Sequence, residues 1–127
     1  MTNSYEAEKI PCICAMRELF QALAQLESNL QAVHGLTLNE AMVLCSIGHG
    51  TATAGTVAQR SGLKPSHVSK VIAAVEGRGL VERNLDRKDK RLMCFTLTDA
   101  GCACLARLRE VGVEAPPLLR TFFEPKA

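Results

Sequence analysis

Gly79-Leu80-Val81-Glu82-Arg83-Asn84-Leu85-Asp86-Arg87-Lys88-Asp89-Lys90-Arg91 is the stretch that decides the architecture of this chain. Leu80 to Arg83 and Arg91 to Leu97 are short, apolar and partly alternating, while Asn84 to Lys90 between them is dominated by charge. Two strands joined by a charged turn are predicted, a β-hairpin with its tip in solvent.

Upstream, Pro65 to Arg78 places Val68, Val71, Ile72 and Val75 at intervals of three and four, the period of an amphipathic helix. Pro65 suits its first position, where a missing N–H costs nothing, and Gly77 and Gly79 stop it. Thr56 to Ser61 reads as a shorter helix ended by Gly62, preceded by a loop from Gly48 to Gly55 with three glycines. Thr37 and Glu40 form a capping box, each side chain satisfying a backbone donor, ahead of a helix carrying Ala41, Val43, Leu44 and Ile47. Between Pro11 and His34 the residues Ile13, Met16, Leu19, Phe20, Leu23, Leu26, Leu30 and Val33 trace a long amphipathic helix, with Pro11 in its first turn and Gly35 as its stop. Its length predicts that part of this stripe meets a partner subunit.

Downstream, Thr98 can cap a helix with Cys104, Leu105, Leu108 and Val111 on one side, ended by Ala115-Pro116-Pro117. Leu118 to Glu124 follows, with Phe122 and Phe123. The expected fold class is mainly α with a small β-hairpin. A winged helix-turn-helix spans residues 37–97, an N-terminal helical region 1–36 and a C-terminal segment 98–127, all within one compact domain.

The 127 residues, 47% of them hydrophobic, are enough to bury a core without disulfide or metal staples. No run approaches the 18 or so apolar residues of a membrane helix, and Glu6 and Glu8 stand where a signal peptide would be basic. A cytoplasmic protein with no membrane association is expected. The net charge of +2 is unevenly distributed. Residues 35–97 carry nine cations against five anions, residues 1–34 two against four, and the remainder balances. The excess positive charge therefore lies on the helix-turn-helix and hairpin, as polyanion binding requires, although a solvated charged face has the same composition.

Three short helices followed by a charged hairpin match the winged helix-turn-helix, whose recognition helix enters the DNA major groove. Here that helix is Pro65 to Arg78. Ser66, His67, Ser69, Lys70 and Ala73 lie opposite its apolar stripe, small or hydrogen-bonding residues suited to base edges and phosphates. Lys64 places a cation at the helix N-terminus, which opposes the dipole by roughly 0.3–1 kcal/mol unless an anion compensates. A DNA phosphate would.

Through Val57-Ala58, Ser61-Gly62-Leu63, Val68-Ser69, Glu76, the Gly79 to Arg91 string and Leu97-Thr98-Asp99-Ala100-Gly101, the sequence resembles the multiple antibiotic resistance regulator (MarR) family over about half its length. The resemblance implies a homodimeric transcriptional regulator, in the first instance a repressor, on a pseudo-palindromic operator in duplex DNA, with the first and last helices forming the dimer interface. It implies that Arg91 enters the minor groove, supported by Asp89, with Arg87 and Lys88 near phosphates, and that Glu76 and Arg83 join helix to wing. The chain departs from the family in a shortened segment after Thr98, broken by Pro116-Pro117, and in Lys64, where a Ser or Asp cap is common.

Cys45, Cys94 and Cys104 fall at expected core positions, where cysteine acts as a small hydrophobe. Cys14, with Glu18, Gln21 and Gln25 on the polar face, is the sharper candidate for a reactive thiol, with Cys12 and Cys102 also near helix starts, where the thiolate is favoured. Residues two apart on a helix point in nearly opposite directions, so neither Cys-x-Cys pair is expected to bind a metal, and no cofactor is expected. Oxidation of these thiols and a small aromatic ligand between arms and DNA-binding lobes both remain open as the signal. His34 and His49 read as solvated. No phosphate-cradling glycine loop, HExxH, GxSxG or CxxC motif is present, so no enzymatic chemistry is expected. The competing reading is a winged-helix protein-interaction module without direct DNA binding.

Overall fold

The computed structural model describes Lys9 and residues 13–124. A 3-10 turn, Ile13–Ala15, leads into α1 (Met16–His34), followed by α2 (Leu38–Ile47), β1 (Thr51–Ala52), α3 (Ala54–Ser61), α4 (Pro65–Gly77), β2 (Val81–Leu85), β3 (Met93–Leu97) and α5 (Asp99–Val111). A second 3-10 turn, Pro117–Leu119, runs into the single helical turn α6 (Arg120–Phe123). Pro11 lies outside the described residues.

Local chemistry sets the helix ends. Gly35 stops α1 in the left-handed conformation, its N–H bonding the Gln31 carbonyl, and Gly62 stops α3 in the same way. The capping box of α2 is complete: Thr37 Oγ1 accepts from the Glu40 N–H, and Glu40 Oε1 accepts from the Thr37 N–H at 2.8 Å. Glu27 of α1 accepts from the Leu38 N–H at 2.8 Å, which ties α1 to the start of α2.

The structure departs from the sequence reading at several boundaries. The expected Gly48–Gly55 loop contains β1, which pairs antiparallel with β3 (Thr51 opposite Thr96, Ala52 opposite Phe95), so the hairpin becomes a three-stranded sheet of order β1-β3-β2. Helix α3 starts at Ala54 because Thr53 caps it, accepting from the Thr56 N–H at 3.1 Å. The strands of the hairpin run from Val81 opposite Leu97 to Leu85 opposite Met93, a residue or two later than expected. Helix α5 ends before Gly112 and so never reaches the prolines.

The main core joins α2, α3 and α4 to the sheet through Val43, Leu44, Val57, Val68, Ile72 and Val75, all essentially inaccessible. Burying a side chain of this kind contributes about 1.5–3 kcal/mol. A smaller cluster of Ala22, Leu26 and Leu119, with Val113 and Ala115 against it, packs the C-terminal segment on α1. Two polar contacts support it: Asn29 Nδ2 donates to the Glu114 carbonyl at 2.9 Å, and His34 Nε2 lies 2.7 Å from the Gly112 carbonyl oxygen. His34 is therefore half-buried and engaged rather than solvated, because the end of α5 returns across it.

Helix α5 meets the base of the hairpin at very short range. Thr98 Oγ1 donates to the Gly79 carbonyl at 2.6 Å and accepts from the Gly101 N–H, while the Thr98 N–H bonds the Leu80 carbonyl. A Cβ on Gly101 would collide with the Leu80 carbonyl oxygen, so only glycine allows the two backbones to lie so close.

Candidate nucleic-acid interface

Helix α4 turns Val68, Val71, Ile72 and Val75 into the core and leaves Ser66, His67, Ser69, Lys70 and Ala73 exposed, as its period requires. Lys64 occupies the N-cap in extended conformation with no side-chain cap, Pro65 takes the first helical position, and the first turn contains no acidic residue. Lys64, too, is exposed. The positive end of this helix dipole thus faces outward with a cation beside it, an arrangement that favours an anion. Ser69 Oγ donates back to the Pro65 carbonyl at 3.3 Å.

Helix and wing form one unit. Arg83 of β2 presents Nε and Nη2 to the two carboxylate oxygens of Glu76, both at 2.7 Å, a bidentate pair that fixes orientation as well as distance. The same guanidinium lies over the Phe95 ring, 5.6 Å from its centroid. Hydrogen bonding from Arg83 holds the Glu76 carboxyl below its ordinary range, and Glu76 in turn raises Arg83. At the same C-terminal end of α4, the C-cap residue Arg78 places Nη1 3.3 Å from Glu40 Oε1 and so links α4 to the cap of α2.

The wing turn is organised by two aspartates. Asp86 Oδ2 accepts from the Asp89 N–H at 2.9 Å, and Asp89 Oδ1 accepts from both the Arg91 N–H (3.1 Å) and Arg91 Nε (3.2 Å). Backbone bonds from the Asp86 N–H to the Leu92 carbonyl and from the Leu92 N–H to the Asp89 carbonyl close the turn. The Arg91 side chain is 92% exposed despite its partner, so the guanidinium is aimed outward rather than sequestered. Such a pair contributes little to stability but restricts where the cation points. Arg87 and Lys88 are exposed at the same tip. Asp86 also holds the turn through its bond to the Asp89 N–H, a role unassigned from sequence, and Asp89 with the Arg91 N–H makes the Asx turn beside it.

A second residue escaped the sequence reading. Asn39, in the first turn of α2, places Nδ2 3.4 Å from His67 Nε2 on α4. Nothing local marks it, since 28 positions separate the two.

The cysteines divide differently from expectation. Cys94 is buried and Cys104 half-buried, its thiol pushed up chiefly by burial. Cys45 is exposed, a correction to its assignment as core: α2 is apolar on nearly every side, and the core takes Val43, Leu44 and Ile47 instead. Cys14 is exposed in the 3-10 turn before α1, Cys102 is half-buried in α5, and Cys12 lies outside the described residues. His49 is exposed, its Nε2 3.4 Å from Arg109 Nη1. Among the described residues no group of three or more His, Cys, Asp or Glu is placed to hold a metal, and no helix is long and apolar enough to cross a membrane.

Comparison with known proteins agrees with this geometry. Residues 34–92 match the model of the MarR family. The HTH-type transcriptional repressor MdtR of Bacillus subtilis (strain 168) is 30% identical over 88 residues, covering 68% of this chain and 57% of that protein, so the chain spans little more than half the length of this relative. Among solved structures, Bordetella bronchiseptica BpsR, whose DNA binding is regulated by 6-hydroxynicotinic acid, aligns with a TM-score of 0.65 at 21% identity over 87% of this chain and 89% of its own. A mutant MarR from E. coli complexed with operator DNA aligns at 0.68, with 22% identity over 79% of this chain and 75% of that one. These structures share the winged-helix fold.

Proposed function

We propose, from the match of residues 34–92 to the MarR family model, that this chain is a MarR-family, sequence-specific DNA-binding regulator of transcription, acting as a homodimer and as a repressor. The observation that carries this reading is the joint presentation of the exposed α4 face and the outward Arg91, coupled through the bidentate Glu76–Arg83 pair. Two copies of α4 would occupy successive major grooves about 34 Å apart, with Lys64, Ser66, His67, Ser69 and Lys70 against bases and phosphates. Arg91 would reach the minor groove, and Arg87 and Lys88 the backbone. Bound dimers would block polymerase, in keeping with the repressor named among the relatives.

Exposed apolar residues on the arms support pairing. Ile13, Phe20, Leu118, Phe122 and Phe123 are all more than half exposed, more apolar surface than a monomer ordinarily leaves in one region. A cavity of about 330 Å³ between Asn29, Val33, Val111 and Glu114, where α1 meets the end of α5, supports modulation by a small aromatic ligand. Thiol chemistry at exposed Cys14 is the other signal the arms could receive.

The test is binding to duplexes enriched by the protein from a random-sequence library, followed over a range of salt. A steep fall of affinity with salt, and a further loss in Arg91→Ala, support the reading. Absent or salt-independent binding supports the protein-interaction module instead.

A further inference from the structure

Resting on the DNA-binding reading, we infer that Asn39 is a positioning residue that sets the tautomer of His67, so that α4 offers the groove a hydrogen-bond donor at Nδ1. An amide Nδ2 only donates. Its placement 3.4 Å from His67 Nε2 makes a hydrogen bond when that nitrogen carries the lone pair, and the neutral ring then carries its proton on Nδ1. His67 is exposed, and Nδ1 has no hydrogen bond among the described residues. The proton is thus presented on the face of α4 that also bears Ser66 and Lys70.

The anchor is well placed for this work. Asn39 lies in the first turn of α2, next to Glu40, whose carboxylate is held by the Thr37 N–H and by Arg78 at the far end of α4. Asn39 is half-buried, and α2 packs on α4 through the core. The amide that orients the imidazole therefore belongs to a fixed frame rather than to a loop. A donor at this position pairs with the major-groove acceptors: purine N7, guanine O6 or thymine O4. It cannot pair with the amino groups of adenine or cytosine. Asn39 thereby influences base preference without touching DNA.

The inference is tested first without DNA. Long-range ¹H–¹⁵N spectra of the His67 ring in the free protein should show protonated Nδ1 and an acceptor Nε2, and Asn39→Leu, close in size but with no amide, should release that preference. On a duplex enriched by the wild-type protein, Asn39→Leu and His67→Ala should each lower affinity roughly tenfold, the order of one base-edge contact. The double variant should lose no more than either alone. In Asn39→Leu the affinity for a scrambled duplex and the salt slope should stay unchanged, a readout that a merely structural role of Asn39 would not leave intact. Base analogues lacking a major-groove acceptor should weaken the wild type at one position per half-site and leave His67→Ala unaffected.

Independent, multiplying losses, or a ring tautomer indifferent to Asn39→Leu, overturn the inference. Sensitivity to methylphosphonate in place of base analogues assigns His67 to a phosphate and overturns base readout. If no duplex is enriched while the ring tautomer is fixed as described, it is the DNA-binding reading that fails, and base readout by His67 falls with it.

Discussion

Glu76 of α4 and Arg83 of β2 meet through two hydrogen bonds of 2.7 Å, a bidentate pair that ties α4 to the wing beside their shared core. Arg83 holds the Glu76 carboxyl below its unfolded value, so the interaction is present at neutral pH and is lost as pH falls through the lowered value. Glu76→Gln should lower operator affinity several-fold while leaving the thermal midpoint nearly unchanged, because the pair is solvent-exposed. In the wild type, acid titration followed by NMR should move the Arg83 Nε–H resonance together with the Glu76 carboxyl. In Glu76→Gln that acid step should disappear from Arg83.

Arg91 and Asp89 separate charge from aim. Arg91→Ala should weaken binding to an enriched duplex by roughly 1–3 kcal/mol, and if the guanidinium rests on phosphate the salt slope should shrink by about one. Asp89→Asn keeps the cation but loosens its anchor, so a smaller loss with an unchanged slope is expected. Fluorescence anisotropy at several salt concentrations measures both.

Gly101→Ala tests the close approach of α5 to the hairpin. The new methyl group meets the Leu80 carbonyl oxygen, which is backbone and cannot turn aside. A loss of about 2–3 kcal/mol or more is expected, the upper range for overpacking. Chemical denaturation should show it, with Gly77→Ala, whose added Cβ would meet open space, as the comparison.

Thiol accessibility should follow position rather than number. Cys14 and Cys45 are exposed and should react first with an aromatic disulfide reagent, and Cys94 should react only on unfolding. Cys104, with its thiol raised by burial, should be slow near neutral pH. If peroxide changes operator affinity, Cys14→Ser should abolish that change. An equal response in Cys14→Ser assigns the signal elsewhere.

What could be read in advance was whatever is written locally. The Thr37–Glu40 box, the Gly35 and Gly62 stops and the alternation around the Asp86–Asp89 turn act over three or four residues, and the sequence displays them. Strand β1 was missed because two residues carry no period. Thr51 and Ala52 are a strand only because β3 leaves an edge beside them. Cys45 was misplaced because a helix apolar on most faces does not announce which one is inside. His34 and Asn39 depend on partners 78 and 28 positions away, Gly112 and His67, and such pairings exist only once the chain has folded. For the candidate interface, the residue types of α4 and the wing were legible, but the coupling between them acquired its geometry only in the structure.

Thr98 and Gly101 weld the first turn of α5 to the base of the wing, while the far end of the helix rests against His34 on α1. Thirteen residues at about 1.5 Å each make this a lever about 20 Å long. A tilt of about 10° at its fixed end would carry the other end some 3 Å sideways over that length. Motion between the arms would therefore reach the surface of α4 and the wing geared down, as a small change of angle rather than as local melting.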